Sequence, residues 1–108
     1  MSQNKHTPGP WIARKAGGKG WPGQRGWAID YNEDQEQVVD FVYEMADAQL
    51  IAAAPELLDG LILASTQLRK YETLHRAKGT YDSIAKAEVN AALAARFEAT
   101  IAKARGEA

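Results

Sequence analysis

The residues best suited to chemistry lie in one glycine-rich stretch, Ala16-Gly17-Gly18-Lys19-Gly20-Trp21-Pro22-Gly23-Gln24-Arg25-Gly26. Glycines let successive backbone amides face an anion, and Lys19 and Arg25 supply positive charge. Trp21 and Trp27 offer flat rings on which a base could stack. Gly17, Gly18, Lys19, Gly20, Trp21 and Arg25 are therefore the candidate anion- or nucleotide-binding residues. The stretch lacks the Gly-Lys-Ser/Thr run at a helix start that defines a P-loop. The segment after it reads as a strand, and a solvated hairpin loop would carry the same composition.

Other reactive side chains are sparse. His6 and His75 are the only histidines and lie far apart. A metal site needs more ligands within reach than they supply. His75 falls on an apolar helical seam, which points to packing. The carboxylates Glu33, Asp34, Glu36 and Asp40 are dense but lack calcium-loop spacing. They read as a solvated acidic face that could imitate nucleic acid towards a basic protein. Ser2, Ser65 and Ser83 lack a nucleophile-elbow context. With no cysteine in the chain, thiolate zinc sites and cysteine nucleophiles are excluded. No nucleophile, base and electrophile converge, so no catalytic residue, metal or cofactor is expected and the chain reads as non-enzymatic.

The elements that hold these residues can be read from composition. The chain has 108 residues, of which 45% are apolar, and reads as a single domain over residues 1–108. Residues 1–31 hold all three tryptophans, six of the nine glycines and three of the four prolines. Strands and loops are expected over residues 1–45 and helices over 46–108. Strands are expected at residues 11–15, 27–31 and 36–43, with Val39, Phe41 and Tyr43 on one face. Asn32-Glu33-Asp34-Gln35 is a turn, and sequential strands so joined pair antiparallel.

Residues 46–78 read as helix along the seam Leu50, Ala54, Leu57, Leu61, Ala64, Leu68, Tyr71 and His75. Pro55 predicts a kink or a fresh start, because proline lacks an amide donor. Gly79 ends that helix, and a second, alanine-rich one runs over residues 81–105. The fold class is α+β: an N-terminal three-stranded antiparallel meander, then a C-terminal antiparallel helical hairpin. The first helix is apolar around much of its circumference. Self-association is therefore expected, with Leu57, Leu61, Leu68 and Tyr71 as interface residues.

Charge is partitioned. The chain carries a net charge of −1. Residues 1–30 carry +4, residues 31–59 carry −8 with no lysine or arginine, and residues 60–79 carry +3. This is not the balance of a globally basic nucleic-acid binder, although the two basic blocks keep nucleic acid open as a partner. No apolar run approaches the roughly 18 residues of a membrane span. No signal peptide is expected, because no hydrophobic stretch follows Met1-Ser2-Gln3-Asn4-Lys5-His6.

Two stretches go beyond composition. His6-Thr7-Pro8-Gly9-Pro10-Trp11 opens the chain, and Asp47-Ala48-Gln49-Leu50-Ile51-Ala52-Ala53-Ala54-Pro55-Glu56-Leu57-Leu58 occupies its middle. In this order the pair resembles a group of small accessory proteins of tailed phages and prophages, over roughly the first 60 residues. That group shows HTPGPW near its start and an [N/D]AxLIAAAP[E/D]LL helix. The resemblance implies a phage accessory protein in the cytoplasm of a bacterial host. By analogy with other small phage proteins, it implies binding to a host factor: an anti-defence inhibitor of a host protein, or a sponge for a small nucleotide. A nucleic-acid-binding accessory protein is the alternative. Thr7-Pro8-Gly9-Pro10 is too stiff for a helix and delivers Trp11 to a fixed place, where it is expected to anchor the sheet.

Overall fold

The structure, a computed structural model, describes residues 6–16, 26–32 and 36–107. The described elements are strands β1 (Ile12–Ala16), β2 (Gly26–Asp30) and β3 (Gln37–Val42), then helices α1 (Met45–Ala52), α2 (Ala54–Lys78) and α3 (Tyr81–Ala104). The architecture is α+β, as the sequence leads one to expect. The chain forms two compact units, one ending at Leu57 and the other beginning at Leu58. This division falls later than the compositional one at residue 45, because α1 packs on all three strands and belongs with the sheet.

In the first unit, β2 is central and pairs antiparallel with both neighbours. Ala28 and Ile29 of this strand are fully buried, and Ala48 of α1 is buried with them. Small side chains at 28 and 48 suit a close helix-on-sheet approach. Gly26 is required where it stands. A Cβ there would lie 2.3 Å from Phe41 Cζ and 2.7 Å from the Val42 carbonyl oxygen. The β2–β3 register shifts twice, between Trp27 and Ile29 and between Ile29 and Asp30. Such shifts add residues to one strand and break the strict alternation of faces. Here lies one departure from the sequence expectation: Val39 and Phe41 are half-buried, but Tyr43 lies past the end of β3 and is 80% exposed.

The helix break comes where proline demands it. Ala53 ends α1, with its amide bonded to the Gln49 carbonyl, and α2 restarts at Ala54 with Pro55 in its first turn. An amide is not needed there, so proline is tolerated.

In the second unit, α2 and α3 form the expected hairpin. Gly79 takes φ +74° after Lys78, a left-handed conformation natural to glycine at a helix end. The Thr80 hydroxyl then caps α3 by accepting from the Ser83 amide at 3.1 Å. A less exposed row on α2 runs through Leu58, Leu61, Ser65, Leu68, Glu72 and His75; on α3 one runs through Ser83, Ala87, Asn90, Ala94, Phe97 and Ile101. Both rows step by three and four residues, the spacing of coiled-coil seams. The α2 seam is thus rotated from the expected one. Leu50 belongs to a separate helix, and Leu57 and Tyr71 are exposed. The break at Ala53 resets the phase. The polar Ser65 and Glu72 lie on the true seam because their hydrogen bonds are met locally: Ser65 donates to the Ile62 carbonyl at 3.0 Å, and Glu72 accepts from Arg69 and Arg76.

Candidate functional site

The two motif stretches of the sequence meet inside the first unit, and their meeting is structural. Thr7 presents its carbonyl to two partners: His6 Nδ1 lies 2.7 Å away, and Trp11 Nε1 donates at 3.1 Å. The His6 and Trp11 rings stand edge to face, with centroids 5.9 Å apart. The Gly9–Pro10 peptide is cis. Gly9 abuts Pro55, such that a Cβ on Gly9 would lie 3.0 Å from Pro55 Cβ. Trp11 is half-buried, in keeping with an anchor.

Beside this lies a small polar network on the sheet. Asp30 is 5% exposed and accepts from Arg14 Nε at 2.7 Å. The hydrogen bond to Asp30 raises the Arg14 pKa above its ordinary value, with burial opposing and the nearby charge adding. With its amide oriented to suit its neighbours, Gln37 accepts from Arg14 Nη2 at 3.2 Å and donates to Asp40 Oδ1 at 2.5 Å. Among the described residues, His6 Nε2 and Asp30 Oδ1 are buried polar atoms without a hydrogen-bond partner.

The outer part of this unit is acidic. Tyr31 N donates to the Glu36 carbonyl at 3.0 Å, and Glu36 N donates to Asn32 Oδ1 at 3.1 Å. The Tyr31 hydroxyl donates to the Glu36 carboxylate, and this hydrogen bond, with burial and the carboxylate's charge, raises the Tyr31 pKa. From Glu36 the chain runs through β3, an edge strand of the described sheet, into α1. Along it Glu36, Asp40, Glu44 and Asp47 are all exposed, as are Tyr43 and Met45. Phe41 supports Tyr43 edge to face, with ring centroids 4.9 Å apart. Tyr43 and Met45 are thus exposed apolar side chains in a segment that also exposes four carboxylates.

The second unit contributes an ion-pair cluster and an apolar helix face. Arg69 joins the two helices, donating to Glu98 at 2.6 Å and to Glu72 at 2.9 Å. Arg76 donates to the other Glu72 oxygen at 2.9 Å. The Arg69 pKa is raised, chiefly by the Glu98 hydrogen bond and then by that of Glu72. Those of Glu72 and Glu98 are lowered, each chiefly by the hydrogen bond from Arg69. Leu63, Tyr71 and Leu74 are exposed on α2, Leu63 by 72%.

The six residues expected to grip an anion, Gly17, Gly18, Lys19, Gly20, Trp21 and Arg25, lie outside the described residues. Of the four expected at a subunit interface, Leu61 and Leu68 are half-buried on the α2 seam, whereas Leu57 and Tyr71 are exposed. Leu63 and Leu74, apolar residues expected beside the α2 seam, are exposed, whereas Tyr43, expected on a strand face, and Met45 were not expected at the surface. Nothing in the sequence places Tyr43 beyond a bulged strand. Among the described residues, no group of three histidine or acidic side chains could hold a metal ion. No single helix there is long and apolar enough to cross a membrane.

A bulged three-stranded sheet carrying one short helix, with a helical hairpin after it, defines a small α+β protein. Over residues 1–108 the chain matches the family described as Salmonella phage P22 protein Y8K6, and it belongs to that family. It is thus a phage protein, in line with the resemblance of its two motifs. No curated protein and no solved structure matches it.

Proposed function

We propose that this phage protein is a non-enzymatic accessory protein that binds and blocks a host protein in the cytoplasm of the infected cell. The contact surface is the acidic edge formed by β3 and the start of α1. The observation that carries this reading is the exposure of Tyr43 and Met45 among Glu36, Asp40, Glu44 and Asp47. Apolar anchors give such a surface affinity, while carboxylates steer a basic partner onto it and reject acidic ones. An anti-defence role is one use of such a block. The nucleotide-sponge version rests on residues 17–25 and the nucleic-acid version on the basic blocks of the sequence, and neither draws on this edge.

The test is native mass spectrometry of the protein purified from infected cells, beside a Glu44→Lys/Asp47→Lys variant. Both substitutions fall on exposed side chains, so the fold should persist. The expected result is a stoichiometric host protein retained by the wild type and absent from the variant. A retained nucleotide or nucleic acid, or a host protein held equally by the variant, would overturn this reading.

A further inference from the structure

A band of α2 turned away from the α3 seam comprises Gly60, Leu63, Gln67, Tyr71, Leu74 and Lys78, at heptad-like spacing, and every member is exposed. Leu63, Leu74 and Tyr71 are 72%, 57% and 45% exposed. Gly60 is anomalous among them. A glycine inside a helix destabilises it relative to alanine, and here a Cβ would meet nothing within 4 Å. Packing within the chain does not require this glycine, whereas close approach of another backbone would. The band is also polarised, with Glu56 at its N-terminal end and Lys70 and Lys78 towards its C-terminal end.

We propose that this face pairs with the same face of a second copy, the two α2 helices running antiparallel about a two-fold axis at Gln67. Residues at equal distances on either side of Gln67 then oppose one another. Leu63 meets Tyr71 of the other copy, the bare backbone at Gly60 receives Leu74, and Glu56 faces Lys78. A parallel pairing would instead set Glu56 against Glu56 and Lys78 against Lys78, which the charges disfavour. Closed two-fold pairing uses the same patch on both copies and so covers the apolar residues of each.

The experiment uses the full chain, and because it contains no cysteine, Gln67→Cys introduces a single thiol. Sedimentation velocity at micromolar concentration should show a dimer. A short bis-maleimide should cross-link the Gln67→Cys protein to a covalent dimer in high yield, as expected for a residue on the axis. Leu63→Glu, at an exposed position, should keep its helical circular dichroism while weakening association roughly a hundredfold, since it buries an unpaired charge only in the dimer. Gly60→Ala should weaken association while leaving the helix intact. A monomeric wild type overturns the proposal. So does a dimer that resists cross-linking at residue 67 or is indifferent to Leu63→Glu. If Leu63→Glu fails to fold, the cross-link and Gly60→Ala still decide.

Discussion

Gly26→Ala offers the sharpest test of the sheet unit. The added methyl would lie 2.3 and 2.4 Å from the Phe41 ring and 2.7 Å from the Val42 carbonyl oxygen. Optimal carbon contacts lie at about 3.5–4.0 Å, so more than an ångström must be found. The ring is flexible but held against Tyr43, with centroids 4.9 Å apart. The carbonyl is backbone, and β2 is itself paired on both sides. Overpacking of this kind costs about 1–3 kcal/mol, less a few tenths regained because alanine loses less entropy than glycine in a strand. For a unit of this size each kcal/mol shifts Tm by about 4–8 °C, so a fall of roughly 5–20 °C is expected. Tryptophan fluorescence is the assay, because all three tryptophans lie within residues 1–31 and report this unit rather than the hairpin. Adding Phe41→Leu should recover part of the loss, with a coupling of about 0.5 kcal/mol or more. An unchanged or raised melting temperature would refute the close approach of β2 and β3 at this point.

Three further outcomes are expected. Gly9→Ala should lower the same transition more mildly, by about 1 kcal/mol, since only the Pro55 ring edge at 3.0 and 3.3 Å must give way; an unchanged fluorescence melt would refute this. The depressed Glu72 and Glu98 pKa values stabilise the fold above the ordinary glutamate pKa, about 4.3, and that contribution is lost as pH falls below it through the folded values. Hairpin melts by circular dichroism should therefore show a steeper acid limb in the wild type than in Arg69→Ala, and equal limbs would count against the clamp. Because its phenol donates to Glu36, Tyr31 should ionise above the ordinary tyrosine range in an absorbance titration, and Glu36→Gln should advance it.

The sequence made the order of elements legible because each boundary rests on a local rule. Pro8 and Pro10 forbid helix before β1, Pro55 restarts a helix and Gly79 ends one. The helical phase was less legible. On α2 both the Leu57-Ala64-Tyr71 row and the Leu58-Ser65-Glu72 row recur every seven residues, and the first is the more apolar. The second is nevertheless the buried one, because Arg69 and Arg76 satisfy Glu72 and the Ile62 carbonyl satisfies Ser65. A seam reading that scores hydrophobicity alone cannot see such pairings. The approach of Phe41 to Gly26 is likewise a long-range contact without a short-range signature.

The residues of the two motifs and the exposed residues of the proposed contacts overlap little, Asp47 and Glu56 being common to both. Gly9, Trp11 and Pro55 make contacts within the first unit, where Gly9 of one motif abuts Pro55 of the other, far along the sequence. That contact says little about what the fold touches. The two proposals rest on exposed residues instead: Tyr43 and Met45 beside four carboxylates in one unit, and Leu63, Tyr71 and Leu74 around a bare Gly60 in the other. These surfaces can change without cost to either core, since exposed substitutions usually shift stability by no more than about 0.5 kcal/mol. The two motifs therefore bear on the scaffold, and the contacts proposed above rest mainly on side chains outside them.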